Sequence, residues 1–227
     1  MSAWQDALLP YLRRPAENAD VVYFDETVVV VADKYPKATC HLLVIPRGIM
    51  PIGVGDLTRD HLPLLRHMQS LVSSLSSLPL RVGFHSVPSM RQLHLHVISD
   101  DFISPALKHK KHWNSFTTAF FKPLDDVLES IVSHGHMHVD VAGAEALLTS
   151  LLTCYKCRQS FSQMPKLKRH LVDVHGAPTT VSHEAIVAHF HQRATKRPLD
   201  AAAASPSPKR RASSSALPSA SPPSSSS

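Results

Sequence analysis

The 227-residue chain is 43% hydrophobic and 19% charged, which excludes wholesale disorder and leaves room for one core domain plus a smaller one. No apolar run approaches the ~20 residues that cross a bilayer. The opening MSAWQDALLPYLRRP lacks the basic start and cleavage site of a secretory leader, so a soluble intracellular protein with no membrane partner is expected. The net charge of +6 is lopsided, because Lys196, Arg197, Lys209, Arg210 and Arg211 against Asp200 put +4 of it after residue 193. The nearly neutral remainder can meet nucleic acid only through local basic patches.

Taken in chain order, the amphipathic stretch WQDALLPYL places Trp4 and Tyr11 as expected packing residues. Residues 21–33, VVYFDETVVVVAD, read as two strands joined by a turn at Asp25 and Glu26. CHLLVIPR follows as a third strand, closed by Pro46. Leu57, Leu64, Leu65, Met68, Leu71, Val72 and Leu75 recur at helical spacing and predict a helix from Asp56 to about Leu78, capped by Asp56 or Thr58. RVGFHSV and QLHLHVIS are strands, residues 124–134 and 142–152 are helical, and a short helix is expected from Ser182 to Gln192. From residue 194 onward Ala, Ser and Pro dominate with no apolar period, the composition of a disordered tail. Its basic clusters at 196–197 and 209–211, eleven residues apart, fit a bipartite nuclear localisation signal, so a nuclear location is expected.

Gln92-Leu93-His94-Leu95-His96-Val97-Ile98 alternates strictly, so Gln92, His94 and His96 share one strand face while Leu93, Leu95 and Val97 face a core. With His85 and His41 from neighbouring strands, these imidazoles form a cluster. Imidazole exchanges protons near neutrality and can attack phosphorus. The spacing alone equally permits a metal site.

Cys154-x2-Cys157-x12-His170-x4-His175 has the ligand spacing of a tetrahedral structural zinc site. With three cysteines in the chain, a disulfide scaffold is excluded, and no βαβ pattern surrounds the pair to make it a redox motif. Phe161 and Leu167 occupy the apolar positions of such a finger's small core. A unit of this size buries too little to fold alone, so zinc supplies its folding energy. On the helix from Met164 to Val174, Gln163, Lys166 and Arg169 fall at the base-contacting offsets −1, 3 and 6, yet one finger spans only ~3 base pairs.

The histidine stretch resembles the signature His-φ-His-φ-His-φ-φ of the histidine triad (HIT) superfamily, where φ is apolar. DKYPKA at 33–38, HLLVIP at 41–46, GFHSVPSM at 83–90, HLHVISDDF at 94–102 and LKHKKHWNSF at 107–116 narrow the resemblance to the aprataxin family of DNA 5′-adenylate hydrolases. It spans roughly residues 20–122, and a finger behind the HIT domain is that family's arrangement. The chain leaves no room for a forkhead-associated domain and so looks like a short form. The resemblance implies an α+β fold: an antiparallel HIT sheet with helices over 1–125, a connecting helical segment over 126–150, a ββα-like finger over 151–193, and the tail.

The same resemblance implies the roles. His94 is the nucleophile on the α-phosphorus of AMP joined to a DNA 5′ end. His96 contacts the non-bridging oxygens, His85 assists the leaving phosphate and Ser89 hydrogen-bonds it. Lys108 binds phosphate or the DNA end, Asp33 and Lys37 contact ribose or AMP, and His41 buttresses His96. Lys110, Lys111, Lys166, Lys168 and Arg169 hold DNA through phosphate without sequence preference. Zinc is structural, and no metal is expected for the chemical step. DNA with 5′-AMP ends is the expected partner and AMP the product. The alternative is a HIT hydrolase acting on small substrates such as AMP-lysine or dinucleoside polyphosphates, or a non-catalytic DNA-binding module. Gln92 departs from the family pattern at the first triad position. It can hold hydrogen bonds there but cannot protonate. His109 and His112 read as basic-patch or packing residues, and Trp113 and Phe116 as packing.

Overall fold

A computed structural model describes residues 3–50 and 52–195, so the two basic clusters of the tail lie outside the described residues. Strands β1 (Val21–Phe24), β2 (Val28–Ala32), β3 (His41–Pro46), β4 (Leu80–His85), β5 (Leu95–Ser99) and β6 (Phe121–Pro123) form an antiparallel sheet in the order β1-β2-β3-β5-β4-β6. The β1–β2 turn is made by Asp25, whose carboxylate accepts the backbone N–H groups of Thr27 at 2.7 Å and Val28 at 2.9 Å.

Period-2 alternation gives the sheet two different faces. Val28, Val30, Leu42, Val44, Leu95 and Val97 line the main core beneath helices α2 (Leu62–Val72) and α4 (Leu124–His134). The opposite face carries two separate apolar patches. At one side Leu8, at the N-cap of helix α1 (Leu9–Arg13), and Leu12 within it cover Val29, Val31, Leu43 and Ile45. At the other, Trp113 and Phe116 of helix α3 (Lys110–Thr117) cover Ile98 and Phe121. The histidine strip runs between these patches. Gly83 makes the β4–β6 contact possible, because a Cβ there would collide with the Lys122 carbonyl.

Helix α5 (Val141–Thr149) starts at the Asp140 cap, whose carboxylate accepts Gly143 N–H at 3.1 Å. It stops short of the expected 152 because Leu152 is already paired with Phe161 in the hairpin of β7 (Leu152–Thr153) and β8 (Ser160–Phe161). Helix α6 (Met164–His175) completes the finger. The α2 helix is likewise shorter than its periodicity suggested: Pro63 fixes its first turn, Asp56 closes a preceding 3-10 turn by accepting the Gly53 N–H at 2.8 Å, and Thr58 is the N-cap of the 3-10 turn Arg59–His61.

The finger is not a bead on a string. Leu152, Cys154, Met164, Leu167 and Leu171 share one apolar cluster with Ile98, Phe102, Leu107 and Trp113 of the larger domain. Trp113 Nε1 donates to the Thr153 carbonyl at 2.9 Å, and Tyr155 OH to the Asp100 carbonyl at 2.9 Å. Helix α7 (His183–Thr195), grouped with the finger by sequence position, returns to the sheet, where Ile186 and Phe190 are buried in the main core and Phe190 meets Tyr23.

Candidate active site

Registry puts the histidines together. His96 lies opposite Leu43 on β3 and Gly83 on β4, while His41 lies opposite Ile98, two residues on from His96. Cross-strand partners and i, i+2 neighbours share a face, so His41, His85 and His96 converge between the two apolar patches. Ring centroids of His85 and His96 are 4.3 Å apart, and those of His94 and His96 4.9 Å. Gln92 and His94 stand just ahead of the ladder, since β5 begins at Leu95, rather than within the longer strand that the alternation suggested.

Hydrogen bonding fixes which nitrogen of the His41, His94 and His96 rings carries a proton. The backbone N–H of Lys37 donates to His41 Nδ1 at 3.3 Å, so the His41 proton sits on Nε2 and is donated to His96 Nδ1 at 3.0 Å. His96 therefore carries its own proton on Nε2. His94 Nδ1 lies 2.8 Å from the Gln92 carbonyl, which can only accept, and this leaves the His94 Nε2 lone pair free. Nε2 of His96 and Nε2 of His85 are buried with no hydrogen-bond partner among the described residues. Leaving such a group unpaired costs about 1–3 kcal/mol, so the His96 Nε2–H suits an acceptor oxygen of a ligand and His85 Nε2 a further polar group of it.

Burial keeps the cluster neutral. It lowers His41 to about 4, against a weaker opposing pull from Asp33 with its carboxylate 3.6 Å away. It pushes His85 and His96 well below 6.5, helped by the neighbouring rings, and lowers His94 as well. An uncharged His94 is the form that can attack.

The other expected residues fall at the rim. Asp33 Oδ1 accepts Tyr35 N–H at 2.7 Å and so shapes the 33–37 turn; half-buried Lys37 donates to the Tyr35 carbonyl, and burial lowers its pKa. Ser89 is exposed on the β4–β5 loop and Lys108 on the turn before α3. Lys111, Lys166 and Arg169 are exposed. Two expected DNA contacts are instead engaged within the fold: Lys110 Nζ donates to the Thr149 carbonyl and Lys168 Nζ to the Ser104 carbonyl, each at 2.8 Å. His112 adds no cation to the basic run, since burial and then the Lys37 and Lys111 charges bring it to about 4. Trp4, expected to pack, is 53% exposed.

Phe116, read by resemblance as a packing residue with base stacking left open, also touches the rings of His41, His85 and His96 at centroid distances of 5.4, 4.6 and 5.2 Å. Nothing in the local pattern around it signals this, because α3 is brought over the histidines by tertiary packing.

In the finger, Cys154 Sγ lies 3.4 Å from His175 Nε2 and Cys157 Sγ 3.2 Å from His170 Nε2. All four donor atoms lie within 4.8 Å of one another. Zn–S and Zn–N bonds arranged tetrahedrally place S and N about 3.5 Å apart, so two thiols and two imidazoles here fit a structural zinc ion. Such an ion would complete the finger's fold and leave no open position for chemistry.

Comparison with known proteins follows the same division. Residues 9–112 match the family described as "Scavenger mRNA decapping enzyme C-term binding", and residues 117–174 the "C2HE / C2H2 / C2HC zinc-binding finger". Aprataxin of Gallus gallus is 45% identical over 175 residues, covering 74% of this chain and 54% of its own, so the chain spans about half the length of that relative. The aprataxin-like protein of Saccharomyces cerevisiae is 34% identical, with 74% of this chain and 94% of its own covered. The crystal structure of aprataxin ortholog Hnt3 in complex with DNA superposes with a TM-score of 0.65 at 27% identity, covering 85% of this chain and all of that one.

Proposed function

Because this chain belongs to the aprataxin family of histidine triad proteins, we propose that it hydrolyses the phosphoanhydride of 5′-adenylated DNA, releasing AMP and restoring a 5′-phosphate. The observation that carries the reading is the fixed tautomer of His94, whose Nε2 lone pair stands beside two buried, unpartnered ring nitrogens. In the first step His94 Nε2 attacks the α-phosphorus, the P–N bond forms as the P–O bond to the DNA phosphate breaks, and the 5′-phosphate strand leaves. In the second, water attacks the same phosphorus and AMP departs from His94. In this reading His96 donates its Nε2–H to a non-bridging oxygen and the His85 ring meets the leaving phosphate, with Ser89 and Lys108 supporting it from the rim. The 33–37 turn, with Asp33 and Lys37, faces the nucleotide, and His41 holds His96 in its donor tautomer.

Lys111, Lys166 and Arg169 supply exposed positive charge for the duplex phosphates, and exposed Trp4 offers a flat surface to a terminal base pair. A structural zinc holds the finger, and the basic clusters of residues 196–211 direct the protein to the nucleus.

Single-turnover cleavage of a nicked duplex carrying a 5′-AMP junction, run beside AMP-lysine, tests the reading. Fast AMP release from the junction is expected, falling by about 10³-fold or more in His94→Ala while DNA binding persists. Equal turnover of AMP-lysine would replace it with a general small-substrate hydrolase. Binding without release from either substrate would leave a DNA-binding module.

A further inference from the structure

The ladder between β3 and β5 ends at the pair Val44–Leu95. Past it, residues 46–50 have no ladder partner on the β5 side, although Pro46 still pairs with Val28 of β2, so the Pro46 and Gly48 carbonyls and the Met50 N–H need other hydrogen-bond partners. One side chain satisfies all three. Gln92 Nε2 donates to the Pro46 carbonyl at 3.1 Å and the Gly48 carbonyl at 2.9 Å, while its Oε1 accepts Met50 N–H at 2.9 Å. The Leu93 N–H donates to the Met50 carbonyl at 2.9 Å and closes the clamp from the other side. The Gln92 side chain is buried, and its amide orientation is fixed, because carbonyls can only accept and an N–H can only donate.

The main chain of this residue faces the nucleophile, for the Gln92 carbonyl accepts the Nδ1 proton of His94 at 2.8 Å. Side chain and carbonyl thus tie the loop to the reacting ring through one residue. A neutral histidine at this position would offer one donor and one acceptor, one bond fewer than the loop takes from Gln92.

We propose that Gln92 is the positioning residue for His94: by clamping the 46–50 loop it holds its own carbonyl against His94 Nδ1, and so fixes the tautomer and aim of the nucleophile. The proposal rests on His94 acting as nucleophile, but its primary readout does not require activity. In ¹⁵N-histidine-labelled protein, a long-range ¹H–¹⁵N spectrum, with His94 assigned by its loss in His94→Ala, should show His94 as a single Nδ1–H tautomer. Gln92→Glu keeps the shape but sets a carboxylate against two carbonyls. It should give a mixed tautomer and a kcat for AMP release lowered about 10- to 100-fold, with KM little changed. Gln92→His, which keeps part of the clamp, should fall between this variant and the wild type in both readouts.

A folded Gln92→Glu protein with a single Nδ1–H tautomer and wild-type kcat would overturn the proposal. Should that variant fail to fold, Gln92→His decides in the same way, since unchanged tautomer and kcat there would also overturn it. A wild type with the single tautomer but no AMP release would sink the nucleophile reading, and the tautomer data would still judge Gln92.

Discussion

Two histidine clusters sit in one folded unit, and they put the imidazole ring to opposite uses. His41, His85, His94 and His96 lie in a sheet face from which solvent is largely excluded. Their nitrogens meet backbone groups and one another, with no thiol among them. His170 and His175 lie on a helix, and both turn Nε2 toward a cysteine sulfur. The difference is set less by the ring than by the partner of its nitrogens. A backbone carbonyl at Nδ1 leaves a lone pair for attack, whereas two thiols beside Nε2 close a metal shell. The clusters lean on the same aromatic core, since Phe102 packs against Phe116 on the catalytic side and against Tyr155 on the finger side.

Metal removal breaks the comparison most directly. Zinc contributes about 10–16 kcal/mol of apparent binding energy in finger peptides, and Cys154 is fully buried in the shared core. Chelation or Cys154→Ser should therefore lower the unfolding midpoint sharply, and zinc should restore the chelated wild type. Native mass spectrometry should count one zinc per chain. A second zinc, lost in His94→Ala, would mean that the sheet histidines are also a metal site, the possibility their spacing alone leaves open.

Acid sharpens the comparison on the catalytic side. His41 titrates near 4 in the fold against 6.5 for an ordinary histidine, and His85, His94 and His96 are displaced in the same direction. Above pH 6.5 both folded and unfolded forms are neutral and nothing is gained or lost. As the pH falls from 6.5 toward 4, the unfolded chain takes up protons that the buried rings refuse, so stability declines across that window. Thermal unfolding between pH 7.5 and 4 should show this decline, and it should be shallower in His41→Asn. A flat profile would mean that these rings are not held neutral. The acid limb of AMP release should likewise lie below pH 6.5, because His94 stays unprotonated to a lower pH than a free imidazole.

Where the sequence is legible, local chemistry is the reason. Alternation from Gln92 to Ile98 marks a strand face, and Cys154, Cys157, His170 and His175 carry their ligand spacing in a single run of chain. Three features escape because they are settled by contacts distant in sequence. Phe116 meets three histidines only once α3 has folded over the sheet. Helix α7 has the same amphipathic look whether it packs on the finger or on β1. The Gln92 side chain reads as a support able to hold hydrogen bonds, but which groups it holds is settled only by the 46–50 loop around it. Trp4 shows the same limit from the other side: an amphipathic pattern says that one face is buried but not that every aromatic in it is.

The smallest expected effect lies at the seam, where one helix presents lysines to two surroundings. Lys166 and Arg169 are exposed, while Lys168, two residues from one and adjacent to the other, reaches the Ser104 carbonyl. Burial also lowers the Lys168 pKa, as befits an ammonium drawn partly out of water. If Lys166 and Arg169 meet phosphate, each alanine substitution should reduce the salt slope of duplex binding by about one. Lys168→Ala should leave that slope alone and lower the unfolding free energy by about 1 kcal/mol, the net worth of a partly exposed hydrogen bond. Anisotropy titrations between 50 and 200 mM salt, paired with denaturant unfolding, separate the two outcomes. A Lys168→Ala protein with a reduced salt slope and unchanged stability would show that its ammonium leaves Ser104 for the duplex. The finger would then present three cations to phosphate rather than two, and among the described residues the seam would keep the side-chain hydrogen bonds of Trp113 and Tyr155.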